Sequence, residues 1–174
     1  MPKLPLSFFL GSYFAAIAAN AGILLAVVRF GASPSLLRWL FAPAVYLIVV
    51  LCVLVYRAWD SIQDGFARTT PGKAVGLLFI PVFNAYWIFE AFWGFAKDYN
   101  RLVSRYRLEL DALPEWLFLV YCVLTVLTFF PWVRQWTEFW AGTAALFVAA
   151  ILIATTCDAV NALPDLRGLR DRRT

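Results

Sequence analysis

The chain has 174 residues, of which 63% are hydrophobic and only 15% are charged, with a formal net charge of +4. A soluble domain is about half apolar and about a quarter charged, so this composition excludes an ordinary soluble domain and indicates an integral membrane protein. Histidine, the usual general base and zinc ligand, is absent, and Cys52, Cys122 and Cys157 have no metal-ligand spacing. We therefore predict no catalytic residue, metal or cofactor, and the scattered arginines give no nucleic-acid-binding pattern.

Uncharged stretches predict where the chain crosses the membrane. They cover residues 4–28, 39–56, 74–89, 116–133 and 139–157. A helix of about 20 apolar residues crosses a bilayer core, and four of the stretches approach that length. We predict a single membrane domain, 1–174, with spans at about residues 7–28, 39–57, 115–133 and 139–157. The first apolar stretch continues beyond an Ala-Asn-Ala sequence that mimics a signal-peptide cleavage site, so we expect this span to be retained.

The distribution of Lys and Arg selects between two topologies. If residues 74–96 formed a fifth span, the two sides of the membrane would hold 5 and 10 basic residues. If this segment instead returned to its side of entry, 12 of the 15 would share one side. The positive-inside rule favours the second arrangement, with both termini in the cytoplasm. We therefore predict an all-α integral membrane protein with four transmembrane helices and a cytoplasmic helical hairpin, either re-entrant or interfacial.

The hairpin is predicted over about residues 72–111. Thr70 and Pro71 are typical of a helix start, since a hydroxyl caps the helix and proline suits its first turn. A half-helix follows and ends at Pro81, which lacks an amide hydrogen and disfavours helix in the residue before it. Asn84 is expected to cap the next helix.

Residues 88–110 have the spacing of one long amphipathic helix. Glu90, Lys97 and Arg101 lie on its polar face, and the opposite face is aromatic and aliphatic. Such a helix can lie flat on a membrane with its aromatic face in the lipid boundary. The residues that we predict to contact lipid or a partner protein are Lys73, Phe92, Phe95, Tyr99, Arg101 and Arg105.

A block of motifs runs from about residue 56 to residue 100. It contains Thr-Thr-Pro-Gly-Lys-Ala-Val-Gly at 69–76, Phe-Ile-Pro-Val-Phe-Asn-Ala-Tyr-Trp at 79–87 and Lys-Asp-Tyr-Asn at 97–100. This block resembles one shared by a group of uncharacterised small bacterial polytopic membrane proteins. The resemblance implies a multi-pass protein of the bacterial inner (cytoplasmic) membrane, and it brings no known activity and no known site residues.

Several polar residues have both a structural and a functional interpretation. Glu90 is expected to be a solvated or paired surface carboxylate, or else to handle an ion or a proton. Asp98 with Asn100, and Asp158 with Asn161, are expected to cap helices, or else to bind a cation. The candidate structural or transport positions are Pro71, Gly72, Gly76, Pro81, Asn84, Trp87, Glu90, Asp98, Asn100, Asp158 and Asn161.

Three functions are open at this point. The leading hypothesis is a non-enzymatic accessory or scaffold protein that associates with membrane lipids and with either copies of itself or a larger complex. Small residues at Ala15, Ala18, Ala19 and Gly22 support it, because they let helices approach closely. The second hypothesis is a small oligomeric channel or transporter that uses the broken segment 72–84. The third is a lipid-acting membrane enzyme with an aspartate as base or metal ligand.

Overall fold

Helices account for the regular structure in a computed structural model, which describes residues 3–129 and 131–163. Within these ranges there is no strand. The α-helices are α1 (Leu6–Phe30), α2 (Pro34–Trp39), α3 (Phe41–Ser61), α4 (Pro71–Gly76), α5 (Phe83–Ile88), α6 (Gly94–Tyr106), α7 (Glu115–Leu127) and α8 (Pro131–Ala162). A 3-10 turn, Leu77–Phe79, follows α4, and a π-helical segment, Phe89–Trp93, joins α5 to α6.

Three helical stretches of the described chain are long and apolar enough to cross a membrane: Leu6–Phe30, Pro34–Ser61 and Gly142–Ala162. The prediction of an all-helical chain is therefore confirmed for the described residues, and three of its helical stretches could span a membrane. Where a span was predicted at 115–133, α7 has 13 residues, which is about 20 Å at the helical rise of 1.5 Å per residue. The arginine-rich tail beyond Leu163 lies outside the described residues.

The described core lies toward one end of the bundle. The buried residues of α1 come from its first half, and those of α3 lie from Val50 onward. In α7 and α8, buried side chains are found at Leu117, Phe118, Cys122, Ala149, Leu152, Ile153, Thr156 and Cys157. The start of the chain meets the end of α8, where Leu4 is hydrogen-bonded to Asn161. This is also the end of the bundle that holds the segment between α3 and α7.

Two clusters make up this core. One joins the end of α3 to α6 and α7 and includes Trp59, Phe95 and Phe118. The other joins α1, α3 and α8. Ala149 of α8 is buried in the second cluster, whereas the small residues of α1 are exposed, namely Ala15, Ala18, Ala19 and Gly22. The small residues of α1 therefore face away from the core of the chain.

Candidate functional site: the helical hairpin and its anchor

Residues 71–106 form two helical arms joined at a break around Pro81, a segment that we call the hairpin. Its first arm begins and ends where the sequence predicts. Thr70 Oγ1 accepts a hydrogen bond from the Lys73 amide at 3.4 Å, and Pro71 is the first residue of α4. The arm ends in the 3-10 turn, and Ile80 is extended (φ −85°, ψ 113°), because a residue before proline disfavours the helical conformation. The predicted break at Pro81 is confirmed.

The turn between the two arms exposes apolar side chains. We call residues 79–86 the tip. Val82 is 92% exposed and has a φ of 66° and a ψ of −50°, a positive-φ conformation that is unfavourable for a β-branched residue. The other exposed large side chains of the tip are Phe79, Ile80, Phe83 and Tyr86. Several large apolar side chains are thus exposed on one short turn, a feature that is typical of sites of contact with lipid or with protein.

Asn84 does not cap α5, so the prediction that it does is wrong. The helix begins at Phe83, two residues earlier than a cap at Asn84 would place it, and the N-cap position is Val82, which makes no side-chain capping hydrogen bond. The Asn84 amide donates to the Ile80 carbonyl at 2.9 Å, so the backbone itself closes the turn. Trp87 Nε1 donates to the Ala74 carbonyl at 3.2 Å and ties the two arms together.

A π-helical segment in the second arm provides the contact with α3. A π turn widens the helix and changes which carbonyls are satisfied inside it. The carbonyl of Ala91, a small buried residue, accepts a hydrogen bond from Trp59 Nε1 at 2.9 Å. On the other side, Cys122 Sγ of α7 lies 3.4 Å from the Ile88 carbonyl. The hairpin is thus held between α3 and α7 through its own backbone.

Arg68 is the centre of the ionic anchor of the hairpin. Its Nε lies 2.8 Å from Asp98 Oδ1, and its backbone amide donates to Asp98 Oδ2 at 2.9 Å. Its guanidinium also donates to the Gly94 carbonyl at 3.2 Å and lies 3.6 Å from Glu90 Oε2. The Asp98 side chain is only 5% exposed. Both of its oxygens accept hydrogen bonds from Arg68. Glu90 is a paired carboxylate here, in agreement with its structural interpretation.

Gly94 makes room for this anchor. A Cβ atom at this position would lie 3.2 Å from Glu90 Oε2 and 3.8 Å from Arg68 Nη2. Glu90, Gly94 and Asp98 follow one another at i, i+4 and i+8, so they line a single face of the second arm. The absent side chain lets the guanidinium reach the helix backbone between two acidic residues.

Two further cations of the second arm are held locally. Arg105 pairs with Asp64, and its guanidinium lies 4.2 Å from the ring centroid of Phe66. Lys97 Nζ lies 3.1 Å from the centroid of the Trp93 ring, which is a cation–π contact. The Asp64–Arg105 pair connects the segment after α3 to the end of α6.

The aromatic face of the second arm lies in the core of the protein. Phe95 is 3% exposed and Tyr99 is 1% exposed, so the prediction that these two rings contact lipid or a partner is wrong. Phe95 packs edge-on against Trp59 at 5.9 Å, and the half-buried Phe92 packs against Tyr121 at 5.1 Å. The physical reason is that α3 and α7 offer these rings an apolar surface within the same chain.

Burial also determines the chemistry of Tyr99. It raises the pKa of the Tyr99 phenol above its usual value, and the negative charge of Asp111 raises it further. The neutral hydroxyl lies 3.4 Å from the Ala159 carbonyl of α8, to which it donates. Tyr99 therefore connects the hairpin to the last helix.

The two predicted asparagines bind backbone rather than cap helices. Asn100 Nδ2 donates to the Leu113 carbonyl at 2.9 Å, and Asn100 Oδ1 accepts from the Leu113 amide at 2.7 Å. Asn161 makes the same pair of bonds to Leu4, at 2.8 Å and 2.6 Å. Each amide side chain thus fixes an irregular segment against a helix.

Replacing Asn161 by alanine should loosen the start of the chain. Leu4 would lose partners for both its amide and its carbonyl, and each such bond is worth about 1 kcal/mol. We expect amide hydrogen exchange around Leu4 to accelerate at least about tenfold, measured by mass spectrometry on the protein in micelles. Asp158→Ala, an exposed change one turn away, is the control. Unchanged exchange in Asn161→Ala would show that the side chain does not hold this segment.

The other predicted positions are not brought into one site. Gly72, Lys73 and Gly76 are exposed on α4, and Asp158 is exposed on α8. Among the described residues, no group of three or more His, Cys, Asp or Glu side chains is positioned to hold a metal ion. The cation-binding alternative for the aspartate–asparagine pairs therefore gains no support from the geometry.

A small apolar cavity lies where the hairpin meets α3, α7 and α8. Its volume is about 30 Å³, and its lining includes Trp59, Phe92, Phe118, Tyr121 and Leu152. This is room for about one water molecule, and the walls offer little polarity to hold one. The cavity is too small for a substrate.

Sequence reasoning missed the roles of Asp64, Trp59 and Arg68. Trp59 and Arg68 fall within the block of motifs, but their partners lie about 30 residues further along the chain. One local signal does exist. Gly94 has an acidic residue four positions before it and another four positions after it, which leaves space for a cation between two carboxylates. The tertiary structure determines which cation, here Arg68, occupies that space.

Comparison with protein-family models, with curated proteins and with solved structures finds no match to this chain.

Proposed function

We propose that this chain is a non-enzymatic accessory or scaffold protein of the bacterial inner membrane. In this proposal it has four spans, both termini in the cytoplasm, and a hairpin that enters the cytoplasmic leaflet and returns. It associates with lipids and with copies of itself or a larger membrane complex. The observation that carries the proposal is that the acidic groups of the hairpin have a structural role. Glu90 and Asp98 are paired with Arg68, which fixes the hairpin in place.

The four-span topology is supported by the sequence around α7 and by the charges. Residues 116–133 carry no charge, so the apolar passage continues beyond the last turn of α7. A four-span arrangement also leaves 12 of the 15 basic residues on one side. The hairpin's exposed apolar tip and its ionic anchor suit a segment that dips into lipid from the cytoplasmic surface.

Association with protein is supported by the exposed small residues of α1. Helices in lipid are held together by close packing, which small side chains allow. A Cβ atom added at Gly22 would meet no atom within 4 Å apart from the adjacent backbone of α1. Larger side chains are therefore tolerated at this position in a single chain, and any effect of one reports on association.

The test is the size of the native assembly. The tagged protein is gently extracted from its own membrane and separated on native gels, as wild type, as Gly22→Leu and as Ala21→Leu. Ala21 is exposed on another face of α1 and receives the same new side chain. Loss of about 1–2 kcal/mol of helix packing corresponds to about a tenfold weaker association.

We expect the wild type and Ala21→Leu to migrate with an assembly larger than one chain, and Gly22→Leu to shift toward the single chain. Migration of all three variants as a single chain would refute the scaffold proposal. A larger assembly in all three would show that the association uses another surface than this face of α1.

A further inference from the structure

The polar face of α6 and the start of α7 form an open groove at the base of the hairpin. It is lined by Lys97, Asn100, Arg101, Ser104, Arg105 and Glu115. Lys97, Arg101 and Ser104 follow one another at i, i+4 and i+7, so their side chains lie in one row along α6. The groove therefore presents two cationic groups and a hydroxyl on one side, with α7 on the other.

The charges around the groove leave a positive excess. Arg105 is paired with Asp64, and Glu115 accepts a hydrogen bond from Asn100 at 3.0 Å. Arg101 is 61% exposed and lies 3.5 Å from Asp98, whose nearer partner is Arg68 at 2.8 Å. Lys97 lies over the Trp93 ring. The three cations of the lining, Glu115 and Asp64 therefore sum to one net positive charge, to which the pair of Arg68 and Asp98 adds none. That charge complements a single phosphodiester.

An apolar track begins beside the groove. Trp116, which directly follows Glu115, is 67% exposed, and Val120 and Val123 are 38% and 42% exposed. These residues stand at i, i+4 and i+7 of α7, so they form one stripe along the helix. Tryptophan side chains favour the headgroup level of a membrane. The stripe thus leads from the headgroup level toward the apolar interior.

We propose that this groove is a binding site for one anionic phospholipid. Lys97 and Arg101 bind the phosphodiester, Ser104 donates a further hydrogen bond, and an acyl chain lies along the Trp116 stripe. Basic pockets beside membrane helices bind anionic lipid headgroups in this manner. The inference rests on the proposed function in one respect, namely that the base of the hairpin lies at the cytoplasmic headgroup level.

The experiment is native mass spectrometry of the full-length protein in micelles that contain equal amounts of phosphatidylglycerol and phosphatidylcholine. The test variant is Lys97→Gln/Arg101→Gln. The matched control is Arg29→Gln/Arg38→Gln, which loses the same charge at the far ends of α1 and α2. Arg101→Glu changes one exposed side chain and serves as a second variant if the double change prevents folding.

We expect the wild type and the control to retain one phosphatidylglycerol with about a tenfold preference over phosphatidylcholine. Both groove variants should lose this preference. An unchanged preference in both groove variants would overturn the proposal. Competition by glycerol phosphate as strong as that by the lipid would also overturn the proposal, because the apolar track would then have no role. Lipid retention is measured on a single chain. Failure of the lipid-site proposal can therefore be distinguished from failure of the scaffold proposal, which is measured by the size of the native assembly.

Discussion

The substitution Asp98→Asn is expected to lower the free energy of unfolding by about 2 kcal/mol. The Asp98 side chain is 5% exposed and receives two close contacts from Arg68. Breaking a buried pair by removing one partner costs about 3–5 kcal/mol. The cost is smaller here because Arg68 is 35% exposed, and water can solvate the guanidinium that is left behind. Reversible unfolding by SDS in mixed micelles measures the change.

The matched control for this prediction is Asp158→Asn, because Asp158 is an exposed aspartate of α8. The control should change stability by less than about 0.5 kcal/mol. Equal effects of the two substitutions would mean that the contacts between Arg68 and Asp98 do not hold the hairpin in place.

The substitution Trp59→Phe is expected to cost about 3 kcal/mol. Trp59 is fully buried, and its Nε1 donates to the Ala91 carbonyl in the π-helical segment. Phenylalanine leaves this buried carbonyl without its donor, which costs about 1–3 kcal/mol, and its smaller ring leaves a void beside Phe95. The same SDS titration gives the difference, and the second arm should show the largest gain in hydrogen exchange.

Trp116→Phe is the control for this change. It makes the same replacement on α7 at a residue that is 67% exposed, so its effect should stay within about 0.5 kcal/mol. A Trp59→Phe protein as stable as this control would show that the bond to Ala91 contributes nothing, and the account of the π-helical segment would fail.

The features that follow from local chemistry could be predicted from the sequence. The start of α4 follows from a capping hydroxyl and a proline, and the end of the first arm follows from Pro81. The apolar helices follow from uncharged stretches of sufficient length. In each case the deciding interaction lies within a few residues of the feature it controls.

The orientation of the second arm could not be predicted in this way. Its aromatic face was expected to contact lipid, but Phe95 and Tyr99 pack against helices of the same chain. A lipid phase and a protein interior are both apolar, so the amphipathic pattern does not distinguish them. The positive φ of Val82 and the π-helical segment likewise have no signature in the local sequence. Local backbone hydrogen bonds close the turn at Val82, and Trp59 of α3 binds the π-helical segment.

The candidate site shows the same division. Glu90 was expected to be solvated or paired, and its partner Arg68 lies 22 positions earlier in the chain. The residues that define the anchor come from the segment after α3 and from the second arm. Their meeting depends on how the hairpin folds back, and neither segment specifies that alone.

The location of the hairpin tip in the membrane tests the proposed four-span topology most directly. A single cysteine is placed by Val82→Cys in a protein whose Cys52, Cys122 and Cys157 are replaced by alanine, and it is probed with an impermeant maleimide from each side. Asp111→Cys and Ser35→Cys are the cytoplasmic and outer controls. We expect the tip to react from neither side, and a nitroxide attached to it to be quenched by oxygen but not by an aqueous nickel complex. Reaction from the outer side would indicate a fifth span, and reaction from the cytoplasmic side would place the hairpin in water. Either result would contradict a hairpin that dips into the cytoplasmic leaflet.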